Sequence, residues 1–215
     1  MTIAQPATTW HDNIAINGQP YPTRHPAPLT SGSASDYLNV LTDHQRDQLR
    51  AHHEAAHAVA GLSAGAHVHH AKISTTATLK AASAATDGVE VGGNCLTCNL
   101  PPQGNVIAIY FGAGERTEDH WLHQHNLWTP WLAVGIEFGA YGDRQSLLHD
   151  NPHVGFGDRQ VDYRLVHDLA DAFVTTHWTA ITAVGEALAT RLYLTGDEIA
   201  DLAQLPNGTC THPAT

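Results

Sequence analysis

The run LTDHQRDQLRAHHEAAHAVAGLSAG, residues 41–65, constrains this chain more than any other stretch. Thr42 stands three residues before Gln45, the spacing at which a hydroxyl caps a helix and the amide side chain reaches back to the cap. Gly61 and Gly65 supply stop signals at the other end. The sequence therefore predicts one long helix, on which Leu49, His53, His57 and Ala60 or Gly61 recur at spacings of three and four and share a face. His52, rotated by about 100° from His53, is expected to look away from that face, toward the surface.

His53, Glu54 and His57 form a His-Glu-x-x-His pattern. In a chain with 17 histidines the pattern alone says little, but on a capped helix it has a chemical meaning. Two imidazoles one turn apart can take adjacent corners of a tetrahedral zinc site. Glu54 would act as general base on a water held at the metal, then pass the proton to a leaving amine. A third protein ligand is required, with the fourth position open to water or a substrate carbonyl. The blander alternative is a pair of ordinary, partly buried histidines beside a solvated carboxylate.

Downstream, HVHHAKIST and GVEVGGNCLTC read as strands of a small sheet, the second starting after the turn-like Thr86–Gly88. NVIAIYFGAGERTEDHW reads as a buried helix, with Ile107, Tyr110, Phe111 and Gly114 at helical spacing. Residues 117–157 form an insertion, partly helical, carrying Trp121, Trp128 and Trp131. These rings are expected in the core or, alternatively, at a substrate groove or an interface. DRQVDYRLVHDLADAFVTTHWTAITAVGEALATRL supports one or two long helices, and LTGDEIADLA a short one capped by Thr195 with Glu198 three positions on. Residues 1–36, with Pro6, Pro20, Pro22, Pro26 and Pro28, read as an extended arm whose one anchor is INGQPYP, and residues 206–215 as a frayed tail. The expected organisation is a single domain over 37–205, mainly α with a small β-sheet.

HHEAAHAVAG is similar to the HEAGHA helix of FtsH-type zinc metalloproteases. The likeness continues in order through a short sheet, a helix bearing GAGERTE and a later acidic helix, roughly residues 42–203. The resemblance implies zinc held by His53, His57 and an Asp from a helix patterned Asn-Asp-x-x-x-Ala-Thr-x-x-Ala. VDYRLVHDLA matches that spacing with Asp162 in the ligand position and Ala170 at its end. Asp158 is the competing choice, and an Asp in a first helical turn often only complements the dipole. It further implies that substrate pairs with an edge strand beside the metal, here GVEVGGNCL, whose glycines permit close approach. Ala56 replaces the family's usual Gly, and no Gly-x-x-x-x-Gly-Lys-Ser/Thr loop is present, so no ATPase motor is implied.

Composition narrows the partners. Ten Lys and Arg against 21 Asp and Glu leave little basic surface for phosphate, so nucleic acid is not expected. No apolar run approaches the roughly 20 residues of a membrane span, and no basic segment followed by an apolar core opens the chain, so a cytoplasmic protein is expected. Three cysteines, an odd number, agree with a reducing compartment, and disulfides are not expected. Cys95 and Cys98 have half of a zinc-knuckle spacing and read as incidental thiols, with a structural metal or a redox role as alternatives. His69 and His70, or His120, His123 and His125, offer a second metal site or simply surface imidazoles.

The expected function is zinc-dependent hydrolysis of flexible peptide or protein substrates, with a homo-oligomer or a separate partner protein left open. The alternative is a catalytically silent module of the same fold that binds through the Trp-rich insertion.

Overall fold

The computed structural model describes residues 15–16, 19–20, 34–85, 92–102, 105–155 and 160–210. In chain order the elements are strands β1 (Ala15–Ile16) and β2 (Gln19–Pro20), helices α1 (Ala34–Leu38) and α2 (Asp43–Ser63), strand β3 (His67–Ile73), helix α3 (Thr76–Ala85), strand β4 (Gly93–Cys98) and helices α4 (Val106–Gln124), α5 (Pro130–Gly139) and α6 (Tyr141–Asp150). Strands β5 (Val154–Gly155) and β6 (Val161–Asp162), helix α7 (Tyr163–Arg191), strand β7 (Tyr193–Thr195) and helix α8 (Gly196–Ala203) follow. The fold is mainly α with a small antiparallel sheet of order β4-β3-β7.

α2 forms where its caps dictate. Gln45 N–H donates to Thr42 Oγ1 at 3.2 Å, and Thr42 N–H donates to Gln45 Oε1 at 2.9 Å. The helix is the central pillar, packed most extensively against α7 and α4 and, at its C-terminal half, under β3 and β4. Ala51, Ala55, Ala56 and Ala58 are wholly buried. Side chains this short let three helices and a sheet close around one axis. Larger groups complete the core, among them Val59, Leu62, Val68, Val174, Ile181, Leu188, Leu194 and Ile199. Burying each Val, Leu or Ile side chain is worth about 1.5–3 kcal/mol.

The second long segment is one 29-residue helix, α7, ended by Leu192 in the left-handed conformation (φ 64°). That reversal feeds β7 onto β3, with Ala71 opposite Leu194. α8 is capped by Thr195 and Glu198 as its spacing predicts. α3 is a helix that the sequence reading did not anticipate, and GVEV of the expected second strand falls within residues 86–91, outside the described residues.

The insertion resolves into α5 and α6, with α1 laid across α5. Trp121 is buried, Trp128 donates to Asp119 Oδ1 at 2.7 Å, and Trp131 stands 54 % exposed beside Tyr37. Of the expected N-terminal arm, the described parts are the two-residue pair β1–β2 and the start of α1.

Two expectations are corrected here. Residues 206–210 are docked rather than frayed: Asn207 Nδ2 donates to the Val68 carbonyl at 3.1 Å, its Oδ1 accepts from Val68 N–H at 2.9 Å, and Gly208 N–H donates to the Ala66 carbonyl at 3.1 Å. Cys98 and Cys210 are disulfide-bonded, where no disulfide was expected. Among the described residues, no helix is long and apolar enough to cross a membrane.

Candidate metal centre

His53 and His57 leave α2 on the face turned toward α4 and α6. Their Nε2 atoms lie 3.0 Å apart, and Asp143 Oδ2, from the first turn of α6, is 2.9 Å from His53 Nε2 and 3.2 Å from His57 Nε2. The three atoms make a nearly equilateral triangle. Zinc bonds of about 2.0–2.2 Å to nitrogen and oxygen set tetrahedral ligand separations of a little over 3 Å, so the triangle fits one such ion.

The protonation of the rings supports this. His57 Nδ1 lies 2.8 Å from the Tyr110 carbonyl, which can only accept, so Nδ1 carries the hydrogen and Nε2 presents its lone pair. His53 Nδ1 faces Glu118 Oε2 at 3.5 Å, again an acceptor. Two ring lone pairs and a carboxylate oxygen thus converge on one point, an arrangement that calls for a cation between them. Without a metal that cation is a proton. Burial opposes charge on His53, but the Glu118 and Asp143 carboxylates outweigh it and hold the imidazole well above its ordinary pKa. Burial likewise opposes charge on Asp143, yet His57 and His53 hold its carboxyl well below the usual range.

Helix α4 makes room for the site. A Cβ at Gly114 would stand 2.5 Å from His53 Nε2, so only glycine lets the ring swing to the metal position. Glu115, next in the chain, pairs with Arg144 (Nε to Oε2 2.8 Å, Nη2 to Oε1 2.7 Å), and both side chains are buried. That pair pins α6 one residue beyond Asp143. Burial disfavours the Glu115 charge, but Arg144 and His167 keep its carboxyl well below the usual range. Three residues of GAGERTE thus serve the centre: Gly114 leaves a gap for one ligand, Glu115 anchors the helix of another, and Glu118 partners the first.

Glu54 lies under β4, its carboxylate against Gly93, where any Cβ would collide with it. It is 7 % exposed, and burial raises its pKa despite the nearby His53 and His57. It lines, with His53, His57, Asp143 and Cys95, a small cavity of about 180 Å³ that opens alongside edge strand β4.

The structure thus gathers His53, Glu54 and His57 but not Asp162. Asp162 caps α7, accepting from Arg164 N–H at 2.9 Å and pairing with the Arg164 guanidinium, on the exposed side of the molecule. Its place is taken by Asp143, which sequence reasoning missed; Asp158 lies outside the described residues. The only signal in YGDRQSLLHD was an acidic residue in the first turn of a helix within the insertion, a feature that usually reports dipole complementation. His52 is corrected too: it is 1 % exposed, between Trp121 and Trp178, donating Nδ1–H to the Gln48 carbonyl at 2.8 Å. His123 and His125 stack on Trp128 and Trp121 and His70 on Tyr193, while the ring of His120 lies tilted against Trp178.

Searches against protein-family models and against curated proteins find no match to this chain.

Proposed function

We propose that the chain is a zinc-dependent metallopeptidase similar to the FtsH-type protease domain, acting on flexible peptide or protein segments. The observation that carries the reading is the convergence of His53 Nε2, His57 Nε2 and Asp143 Oδ2 within 3.2 Å, with Glu54 on the same cavity wall. A bound zinc ion would supply Lewis acidity, lowering the pKa of water and polarising a carbonyl. The chain's residues do the rest. Glu54, its basicity raised by burial, accepts the proton of the attacking water and returns it to the departing amine. Asp143, His53 and His57 hold position through Arg144, Glu118 and the Tyr110 carbonyl. Strand β4, the edge of the sheet among the described residues, offers backbone groups to an extended substrate, and Gly93 and Asn94 bring them beside Glu54. A narrow cavity and a strand-like track favour an unfolded segment over a folded surface.

Metal content and peptide-library cleavage of wild type, Glu54→Gln, His57→Ala, Asp143→Ala and Asp162→Ala test the reading together. With the protein oxidised so that Cys98 and Cys210 stay bonded, the expected result is zinc lost in His57→Ala and Asp143→Ala, zinc kept in Asp162→Ala, and zinc kept with cleavage reduced about 10²–10⁴-fold in Glu54→Gln. Zinc-loaded wild type that cleaves nothing, with Glu54→Gln indistinguishable from it, would favour the silent binding module and its exposed Trp131.

A further inference from the structure

Three side chains outside this centre also converge. His69 of β3, Cys98 at the end of β4 and Cys210 of the C-terminal segment offer one ring nitrogen and two sulfurs, all within 4.8 Å of one another. The sheet register explains the meeting. His67 is opposite Cys98 and Val68 opposite Thr97, but His70 is opposite Leu96, so His69 is an extra residue in β3. Bulges of this kind re-aim side chains, and here the ring of His69 packs edge-on to that of His67, the residue facing Cys98. Cys210 arrives because the segment before it is fastened to the same corner. His67 Nδ1 donates to the Gly208 carbonyl at 2.8 Å, and Asn99 Nδ2 donates to the Thr209 carbonyl at 2.8 Å. Cys98 thus finds in Cys210 a second sulfur that the spacing with Cys95 does not provide.

We propose that His69, Cys98 and Cys210 form a second, redox-gated site for a soft divalent cation such as zinc. Two thiolates and an imidazole are a ligand set that such ions favour, with a fourth position left for water. In the oxidised state the two sulfurs are bonded to each other and bind no ion. A dithiol reductant transfers two electrons and two protons to the disulfide, becoming a disulfide itself and leaving two thiols. The ion then displaces both thiol protons, and His69 contributes a ring lone pair. Either state fastens the C-terminal segment to the β3–β4 corner, by a covalent bond in an oxidising compartment and by the ion in a reducing one.

Cobalt(II) titration of the full-length protein tests this, because only sulfur ligation gives intense near-ultraviolet charge-transfer absorption and the His53–His57–Asp143 centre contains no sulfur. The result is therefore independent of the peptidase reading. Reduced protein should develop the band to a saturating intensity equal to one sulfur-ligated cobalt per chain, whatever cobalt the His53–His57–Asp143 centre also takes up, and protein oxidised to the disulfide should show none, a comparison that needs no variant. Cys98→Ser and Cys210→Ser should abolish the band, Cys95→Ser should keep it, and His69→Ala should weaken cobalt binding at least tenfold. No sulfur-to-cobalt band in reduced wild type, a band that survives Cys98→Ser, or an affinity unchanged by His69→Ala would overturn the proposal.

Discussion

At His57 both ring nitrogens are committed: one hydrogen goes to the Tyr110 carbonyl, and the remaining lone pair faces His53 and Asp143. That division of labour makes the metal-free site sensitive to pH. The pKa of His53 is raised above its ordinary value of 6.5, so its charge stabilises the metal-free fold fully below about pH 6.5. This contribution disappears as pH rises through the higher folded value. Asp143, with a lowered pKa, stabilises above its ordinary 3.8 and loses that contribution as pH falls through its folded value. Thermal unfolding of chelator-treated protein should therefore show a falling midpoint on the alkaline side of pH 6.5, and His53→Gln should flatten that slope. An identical slope in the variant would mean that the ion pair does not form. The same residues show what the sequence could reveal. His53, Glu54 and His57 were legible because one helical turn links them. Asp143 was not, because no spacing rule connects it to α2, and only the packing of α6 beside α4 brings it in.

Among the elements, α2 and α8 were readable from their capping boxes and β3 from alternation, whereas β7, which joins β3 beyond the end of α7, was not. α3 was not, since TATLKAASAA carries no cap signal strong enough to stand out, and the bulge at His69 leaves no mark in HVHHAKI. Thr42→Ala should cost about 1 kcal/mol, the usual worth of a hydroxyl cap, measurable by chemical denaturation and without effect on zinc content. Gly114→Ala makes the opposite prediction for α4. Alanine suits a helix better than glycine by nearly 1 kcal/mol, yet its Cβ would displace the His53 ring. Helix content should hold while zinc affinity falls roughly 10–100-fold, the range for losing ligand support. Unchanged affinity would show that the ring has room to shift.

Over the whole molecule, the centre joins the insertion to the main body. Asp143 and Arg144 are adjacent on α6 and bind different partners, one toward α2 and one toward α4. Metal removal should loosen the first turn of α6 first, because Asp143 there loses its ion while the Arg144–Glu115 pair and the Leu147 packing on Val166 and its neighbours hold the rest. With free zinc at about 100 times its Kd, amide exchange in residues 141–150 should be up to about 100-fold slower than in chelated protein, and the middle of α7 should change less. Equal exchange in the two states would place the ion elsewhere. The alanine pillar sets a last condition on all of this. Because Ala51, Ala55 and Ala58 space α2 from its neighbours by no more than a methyl group, a bulkier residue there would push those neighbours outward, carrying Tyr110 and Asp143 with them. Thermostability and the spacing of the His53, His57 and Asp143 side chains thus share a single set of interatomic gaps in this protein, and neither can be engineered through the core while the other stands still.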